Sequence, residues 1–198
     1  MLSSITPLGE RGRNNRFAVA AAFFVAGSLL GGAIVGAVAG GLGAWIVPDT
    51  PTIDATLVVM VALVGAAIDA RIGGIRLPTI TRQVDERWLQ KYRSWVYGFG
   101  FGAQLGTGVA TIITSAAVYV MLVAALLSRS LVAGLVIGTT FGVVRGASIL
   151  LARHVRTPDE LRAFHRTLAA NALRSERAGI AVQAFTAMVG VVAIVSVR

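Results

Sequence analysis

The chain has 198 residues, 56% of them apolar and 14% charged, with no cysteine and a formal charge of +9. Soluble domains average about 45–50% apolar and about 25% charged, so this composition excludes disorder, collagen and coiled coil. The lack of cysteine excludes a disulfide framework, a thiol redox pair, an iron–sulfur cluster and a Cys-based zinc site, and no cofactor is expected.

Uncharged apolar runs alternate with short charged stretches. A charged segment with Arg11, Arg13 and Arg16 leads into residues 17–47, which hold no charge. The connection 48–53 (VPDTPT) carries one Asp and no base. A second run, 55–68, reaches the length of a span when Asp54 or Asp69 sits at its ends. A third, 94–128, is uncharged; a fourth, 130–152, is interrupted only by Arg145; the last covers 178–197. A bilayer crossing needs about 20 mainly apolar residues. The expected fold is therefore all-α: a polytopic helical membrane protein of about five transmembrane helices, one integral membrane domain over residues 1–198. The first run is too long for the apolar stretch of a signal peptide, about 7–15 residues, and is expected to stay as a span.

Basic residues set the orientation. Arg11, Arg13 and Arg16 precede the first run. Arg71, Arg76, Arg82, Arg87, Lys91 and Arg93 follow the second, and Arg153, Arg156, Arg162, Arg166, Arg174 and Arg177 follow the fourth. These fifteen of the eighteen basic residues fall on one side, and Arg129 and Arg198 fall on the other. The expected location is a bacterial-type inner membrane, with the N-terminus cytoplasmic and the C-terminus outside. The positive charge is then a topology and anionic-lipid signal, not a nucleic-acid one.

Both larger cytoplasmic loops read as amphipathic, interfacial helices. Thr157 and Glu160 form a capping box with Pro158 at the first helical position. Leu161, Phe164, Leu168 and Ala172 then share a face. In the other loop Val84, Trp88, Tyr92 and Trp95 make an aromatic stripe.

An internal duplication is suggested by Glu10-Arg11 before AGSLLGGA and Glu86-Arg87 before GAQLGTGV, an offset of 76 that equates Ser28 with Gln104, Gly32 with Gly108 and Asp69 with Arg145. The units would be 10–84 and 86–160, a parallel duplicated helix pair, with 178–197 as a final helix. Glycines recur every fourth residue at Gly134, Gly138, Gly142 and Gly146, at Gly98, Gly102 and Gly106, and at Gly32, Gly36 and Gly40. This is the spacing that lets helix backbones approach closely. The first and third runs would extend about 46 and 52 Å as straight helices, beyond a hydrocarbon core of about 30 Å. Tilt, extension or a break at AGSLLGG or GAQLGTG would absorb the excess.

Polar groups inside spans tend to face the bundle interior. Gln104, Thr107, Thr111 and Ser115 form a stripe on the third run, and Gln183 and Thr186 lie one turn apart on the last. Gln104, Thr107, Thr111 and Gln183 are the candidate lining of a transport path. Asp69 and Arg145 are the candidate buried ion pair. No catalytic or metal site is expected: the histidines, His154 and His165, lie in a loop, and AIDARIGG lacks the further aspartates of a lipid-headgroup transferase. The group Asp159, Glu160 and His165 is explained by helix capping and solvation.

The segment LGERGRNNRFAVAAAFFVAGSLLGGAIVGAVAGGLG, echoed from Asp85 to Ser115, resembles the small duplicated membrane proteins of the cytochrome c biogenesis and disulfide-relay transmembrane family. The resemblance covers about a third of the chain. It implies a shared scaffold only, since the paired redox cysteines are absent and no functional residue maps across. The expected function is that of a small permease moving a solute between the repeats, as a homo-oligomer or part of a complex. The other reading is a non-catalytic membrane subunit or assembly factor, and an enzyme is not expected.

Overall fold

The computed structural model describes residues 5–48, 51–74, 87–110, 113 and 115–196. Among these the chain is helical throughout its regular structure: α1 (Pro7–Gly12), α2 (Phe17–Ile46), α3 (Pro51–Asp69), α4 (Trp88–Lys91), α5 (Ser94–Gly106), α6 (Ala117–Leu127), α7 (Leu131–Ala147) and α8 (Pro158–Ser196). Short 3-10 turns follow α3 and α7, at Ile72–Gly74 and Ser148–Ala152. The chain divides into two compact units, one of Met1–Ile34, Ile80–Ile112 and Gly138–Asn171, the other of Val35–Thr79, Ile113–Ile137 and Ala172–Arg198. Helices α2, α7 and α8 contribute residues to both.

The first unit is built on the small residues of α2. A methyl added to Gly98, Gly102 or Gly106 of α5 would strike the backbone of Ala20, Phe24 or Ser28, respectively. On α7, a methyl at Gly142 would strike the Ser28 backbone and one at Gly146 the Ser28 side chain, and the carbonyl of Gly138 lies against Gly32. Ser28, fully buried, donates its hydroxyl to the Gly142 carbonyl at 2.7 Å. Missing side chains thus bring backbones together, and one hydroxyl satisfies a polar atom at the contact. Around this seam Ala20, Ala21, Phe24, Leu89, Tyr97, Phe101 and Ile149 form the apolar core. Helix α1 starts at Thr6, whose hydroxyl accepts from Gly9 N–H at 3.1 Å, with Pro7 at the first helical position. Its amide at Leu8 donates to the Val155 carbonyl at 2.9 Å.

In the second unit Val59 and Ala62 of α3, Val120 of α6 and Ala187 of α8 form the core. Glycine again marks close approach: Gly134 of α7 meets the backbone of Gly36, and Gly43 of α2 meets that of Leu126.

The first and third apolar runs differ in continuity. α2 runs unbroken for 30 residues, about 45 Å. The third run is two helices, α5 and α6, separated by residues 107–116. At the end of α5 the Thr107 hydroxyl donates to the Gln104 carbonyl at 2.8 Å, and Gly108 adopts a left-handed φ of +75°. That conformation suits glycine and terminates a helix. Gly32, equated with Gly108 by the offset of 76, stays helical because the Gly138–Gly142 backbone packs against it.

The last loop also differs from expectation. The amphipathic segment and the final apolar run are one 39-residue helix, α8, about 58 Å long. After Pro158 there is no proline to stop it, and Gly179 and Gly190 are tolerated within it. Its start has the expected box: Glu160 N–H donates to Thr157 Oγ1 at 3.2 Å, and Glu160 Oε2 accepts from Thr157 N–H at 3.0 Å and Arg156 N–H at 2.7 Å. Of the aromatic stripe in the earlier loop, Trp88 is half-buried and Tyr92 and Trp95 are exposed, while Val84 lies outside the described residues.

Large apolar side chains point outward where the small ones point in. On α2, Leu30, Ile34, Val38 and Leu42 are exposed, and Trp45 is 91% exposed. On α7 and α8, Val132, Val144, Val182, Phe185 and Val195 are exposed as well. Among the described residues two helical stretches, Phe17–Ile46 and Leu131–Ala152, are long and apolar enough to cross a bilayer.

Candidate functional site

A connected polar cluster of the second unit gathers on Asp69. This residue ends α3, where the helix dipole is unfavourable to an anion. The start of α6 compensates it. Ala116 N–H donates to both carboxylate oxygens, at 2.9 and 3.1 Å, and Ser115 Oγ donates to Oδ2 at 2.7 Å. Ser115 Oγ in turn accepts from Ala117 N–H at 3.2 Å, which fixes the hydroxyl at the helix start. From α8, Gln183 Nε2 donates to Asp69 Oδ2 at 2.6 Å. Three donor groups therefore replace the water that the half-buried carboxylate has lost.

Gln183 is 1% exposed. Because Asp69 takes its amide N–H, the amide oxygen is turned away, and Oε1 has no hydrogen-bond partner among the described residues. Oε1 faces Gly65: a Cβ built there would stand 2.7 Å from it and 3.0 Å from Ala116 Cβ.

The sequence-derived candidates are distributed over both units. Gln183 lies on Asp69 in the second. Gln104 and Thr107 lie at the end of α5 in the first, half-buried, with the Thr107 hydroxyl turned onto its own helix. Thr111 lies outside the described residues. The stripe expected on one continuous helix is interrupted by the break at Thr107–Gly108, and among its described members Ser115 alone shares the Asp69 carboxylate with Gln183.

The ion pair expected between Asp69 and Arg145 would join residues of different units, Asp69 of the second and Arg145 of the first. Both Asp69 oxygens are occupied by Ser115, Ala116 and Gln183. In the first unit the Arg145 guanidinium lies over the Phe141 ring, 5.3 Å from its centroid, one turn back on α7. The glycines Gly134, Gly138, Gly142 and Gly146 lie against α2, as described above. Asp159 pairs with Arg162 at 2.6 Å and Glu160 caps α8, so neither carboxylate turns to His165.

Two further polar groups escaped the sequence reading. In the first unit Glu10 is fully buried; it accepts from Arg13 at 2.6 Å and from the Tyr97 hydroxyl, and Asn15 Nδ2 donates to that hydroxyl at 3.4 Å. Burial alone would lower the Arg13 pKa, but the hydrogen bond and charge of Glu10 outweigh it and raise it above the ordinary arginine value. In the second unit Arg129 pairs with Asp54 of α3 and donates to the Pro48 carbonyl at 3.2 Å. The signal for the first was the i, i+3 spacing of Glu10 and Arg13. For the second it was the isolation of Arg129 from the other bases.

No protein-family model matches the chain, and no curated protein or solved structure matches it.

Proposed function

We propose that this chain is a multi-pass membrane protein of the small-permease type, with Asp69, Ser115 and Gln183 at the centre of its solute site. The observation that carries the reading is the interrupted third apolar run, whose second half opens with Ser115 and Ala116 on a carboxylate. Interrupted helices with their termini on polar groups are a recurrent way to place a binding site at membrane depth. In this reading α3, the α5–α6 pair and the apolar half of α8 cross the bilayer alongside α2 and α7, making five crossings in an inner membrane, N-terminus cytoplasmic and C-terminus outside. The arginines at 153–177 face anionic lipid. The duplication and the kinship with the cytochrome c biogenesis family concern scaffold only. The chain works as a homo-oligomer or within a membrane complex and is not an enzyme.

The test is osmotic re-swelling of proteoliposomes, followed by light scattering with glycerol, acetate and ammonium as probes. Faster re-swelling than empty liposomes for at least one probe, lost in Asp69→Asn and Ser115→Ala, is the expected result. Re-swelling no faster than in empty liposomes for all three contradicts it.

A second reading, a non-transporting subunit or assembly factor, is favoured by one observation. Ala37, Val38, Gly41, Leu42, Trp45 and Leu131 line an open apolar groove beside the exposed Trp45 indole. Stoichiometric co-purification of one partner, without flux, would decide for it.

A further inference from the structure

The donors that hold Asp69 supply hydrogen bonds but no charge. Ser115 Oγ, Ala116 N–H and Gln183 Nε2 are all neutral, so within its own unit they leave the charge of the carboxylate uncancelled. The base closest to it in the chain, Arg71, is engaged elsewhere: its side chain is largely exposed and pairs with Glu176 of α8 at 3.0 Å. Asp69 also ends the 19-residue α3, where the helix dipole adds negative potential. The donors are unevenly shared as well. Oδ2 accepts from Ser115, Ala116 and Gln183, at 2.7, 3.1 and 2.6 Å. Oδ1 accepts from the same Ala116 N–H at 2.9 Å and from nothing else among the described residues. The two oxygens of a carboxylate offer about four acceptor sites, so Oδ1 keeps one open, and Asp69 is only half-buried. An ionisable group in a membrane-embedded bundle marks a functional site with a partner to be named.

We propose that Asp69 binds a monovalent organic cation that carries N–H donors, one of them accepted by Oδ1. The charge of the ligand answers that of the carboxylate, and the donor fills the open acceptor site. A metal ion fits less well, because it needs several oxygen ligands and N–H donors crowd this carboxylate. Ser115 Oγ is also committed, donating to Oδ2 and accepting from Ala117 N–H at 3.2 Å. Ser115, Ala116 and Gln183 are positioning groups: by tying down Oδ2 they fix the carboxylate and leave Oδ1 for the ligand. The inference rests on the reading of Asp69 as a solute site and names the class of solute.

Guanidinium, urea and acetate are planar probes of similar size, the first a cation, the second neutral, the third an anion. Binding of radiolabelled guanidinium to the purified full-length protein in micelles is measured by equilibrium dialysis. Saturable binding, displaced by unlabelled guanidinium and by methylammonium but not by urea or acetate, is the expected result. Tetramethylammonium, which has the charge but no N–H, should displace about fivefold less well than methylammonium, the factor one net hydrogen bond supplies. Asp69→Asn removes the charge and keeps the shape, and should weaken binding about tenfold or more. Asp159→Asn, at an exposed carboxylate of α8, should leave binding unchanged. Where Asp69→Asn does not fold, the order of displacers on the native chain decides. Absence of saturable guanidinium binding, equal displacement by urea, or undiminished binding in folded Asp69→Asn overturns the proposal. Faster re-swelling with glycerol or acetate but no guanidinium binding would strike this inference and spare the permease reading. Selective binding without re-swelling by any probe would strike only the permease reading.

Discussion

Gln183 and Asp69 are joined through one half of an amide: Nε2 donates to Oδ2 at 2.6 Å, while Oε1 is left without a partner among the described residues. The two residues come from helices 114 positions apart in the chain. The carboxylate therefore serves α3, α6 and α8 at once.

Removing either partner exposes the other. Asp69→Ala leaves Gln183 with both polar atoms unpaired, and Gln183→Leu leaves Asp69 with its two α6-side donors. Each change should destabilise the fold by about 1–3 kcal/mol, with a coupling of about 1–2 kcal/mol in the double-mutant cycle. Denaturant titration in micelles measures this. Strict additivity of the two changes would show that the hydrogen bond carries no energy.

The glycines divide into those that hold backbones together and those that do not. Gly102→Ala drives a methyl into the Phe24 carbonyl, and a loss of about 1–3 kcal/mol is expected from forced separation of α5 from α2. Gly41 and Gly179 have nothing within 4 Å of a new Cβ, so Gly41→Ala and Gly179→Ala should be neutral or stabilising by up to about 1 kcal/mol. Thermal melts of the three variants should rank in that order.

Much of this packing was legible in the sequence, because spacing by four is a property of one helix. Thr157, Pro158 and Glu160 were legible for the same reason: a cap is local. What spacing could not decide was which use a glycine serves. Gly32 and Gly108 stand at equivalent places in similar segments, yet one fills a helix contact and the other turns left-handed and ends α5. Nor does sequence reveal that neutral donors compensate a carboxylate. Within its own unit, a serine, a backbone amide and a glutamine supply the hydrogen bonds to Asp69. Glu10 was hidden in turn because a charged residue before an apolar run reads as solvated surface.

At Glu10, the ranking of variants follows from burial. Arg13→Ala leaves a fully buried carboxylate without its cation and should destabilise by about 3–5 kcal/mol. Tyr97→Phe removes one donor and keeps the pair, for about 1–2 kcal/mol. Equal effects of the two would show that Arg13 is dispensable to Glu10.

Glu160 sits outside the apolar stretch of α8, and its carboxyl is held below the ordinary glutamate range, first by the Arg156 amide and then by that of Thr157. A carboxyl depressed in the folded chain stabilises it above the unfolded pKa, about 4.3. That contribution disappears as the pH falls through the lower folded value. Amide exchange at Arg156 and Thr157 should therefore accelerate, relative to intrinsic rates, only below that range. Glu160→Gln should flatten the dependence. A profile that changes near neutral pH would contradict the cap.

The account's central claim is that Ser115 and Asp69 form a polar site reached by water within an otherwise lipid-facing bundle. The chain has no cysteine, so single cysteines report without background. The decisive measurement is the reaction rate of Ser115→Cys in sealed membrane vesicles with a small charged methanethiosulfonate, compared with Val132→Cys on the exposed apolar face of α7. The account predicts rapid reaction at position 115 and none at 132, where only a lipophilic maleimide should react. Equal aqueous reactivity at both positions, or none at 115, would contradict it.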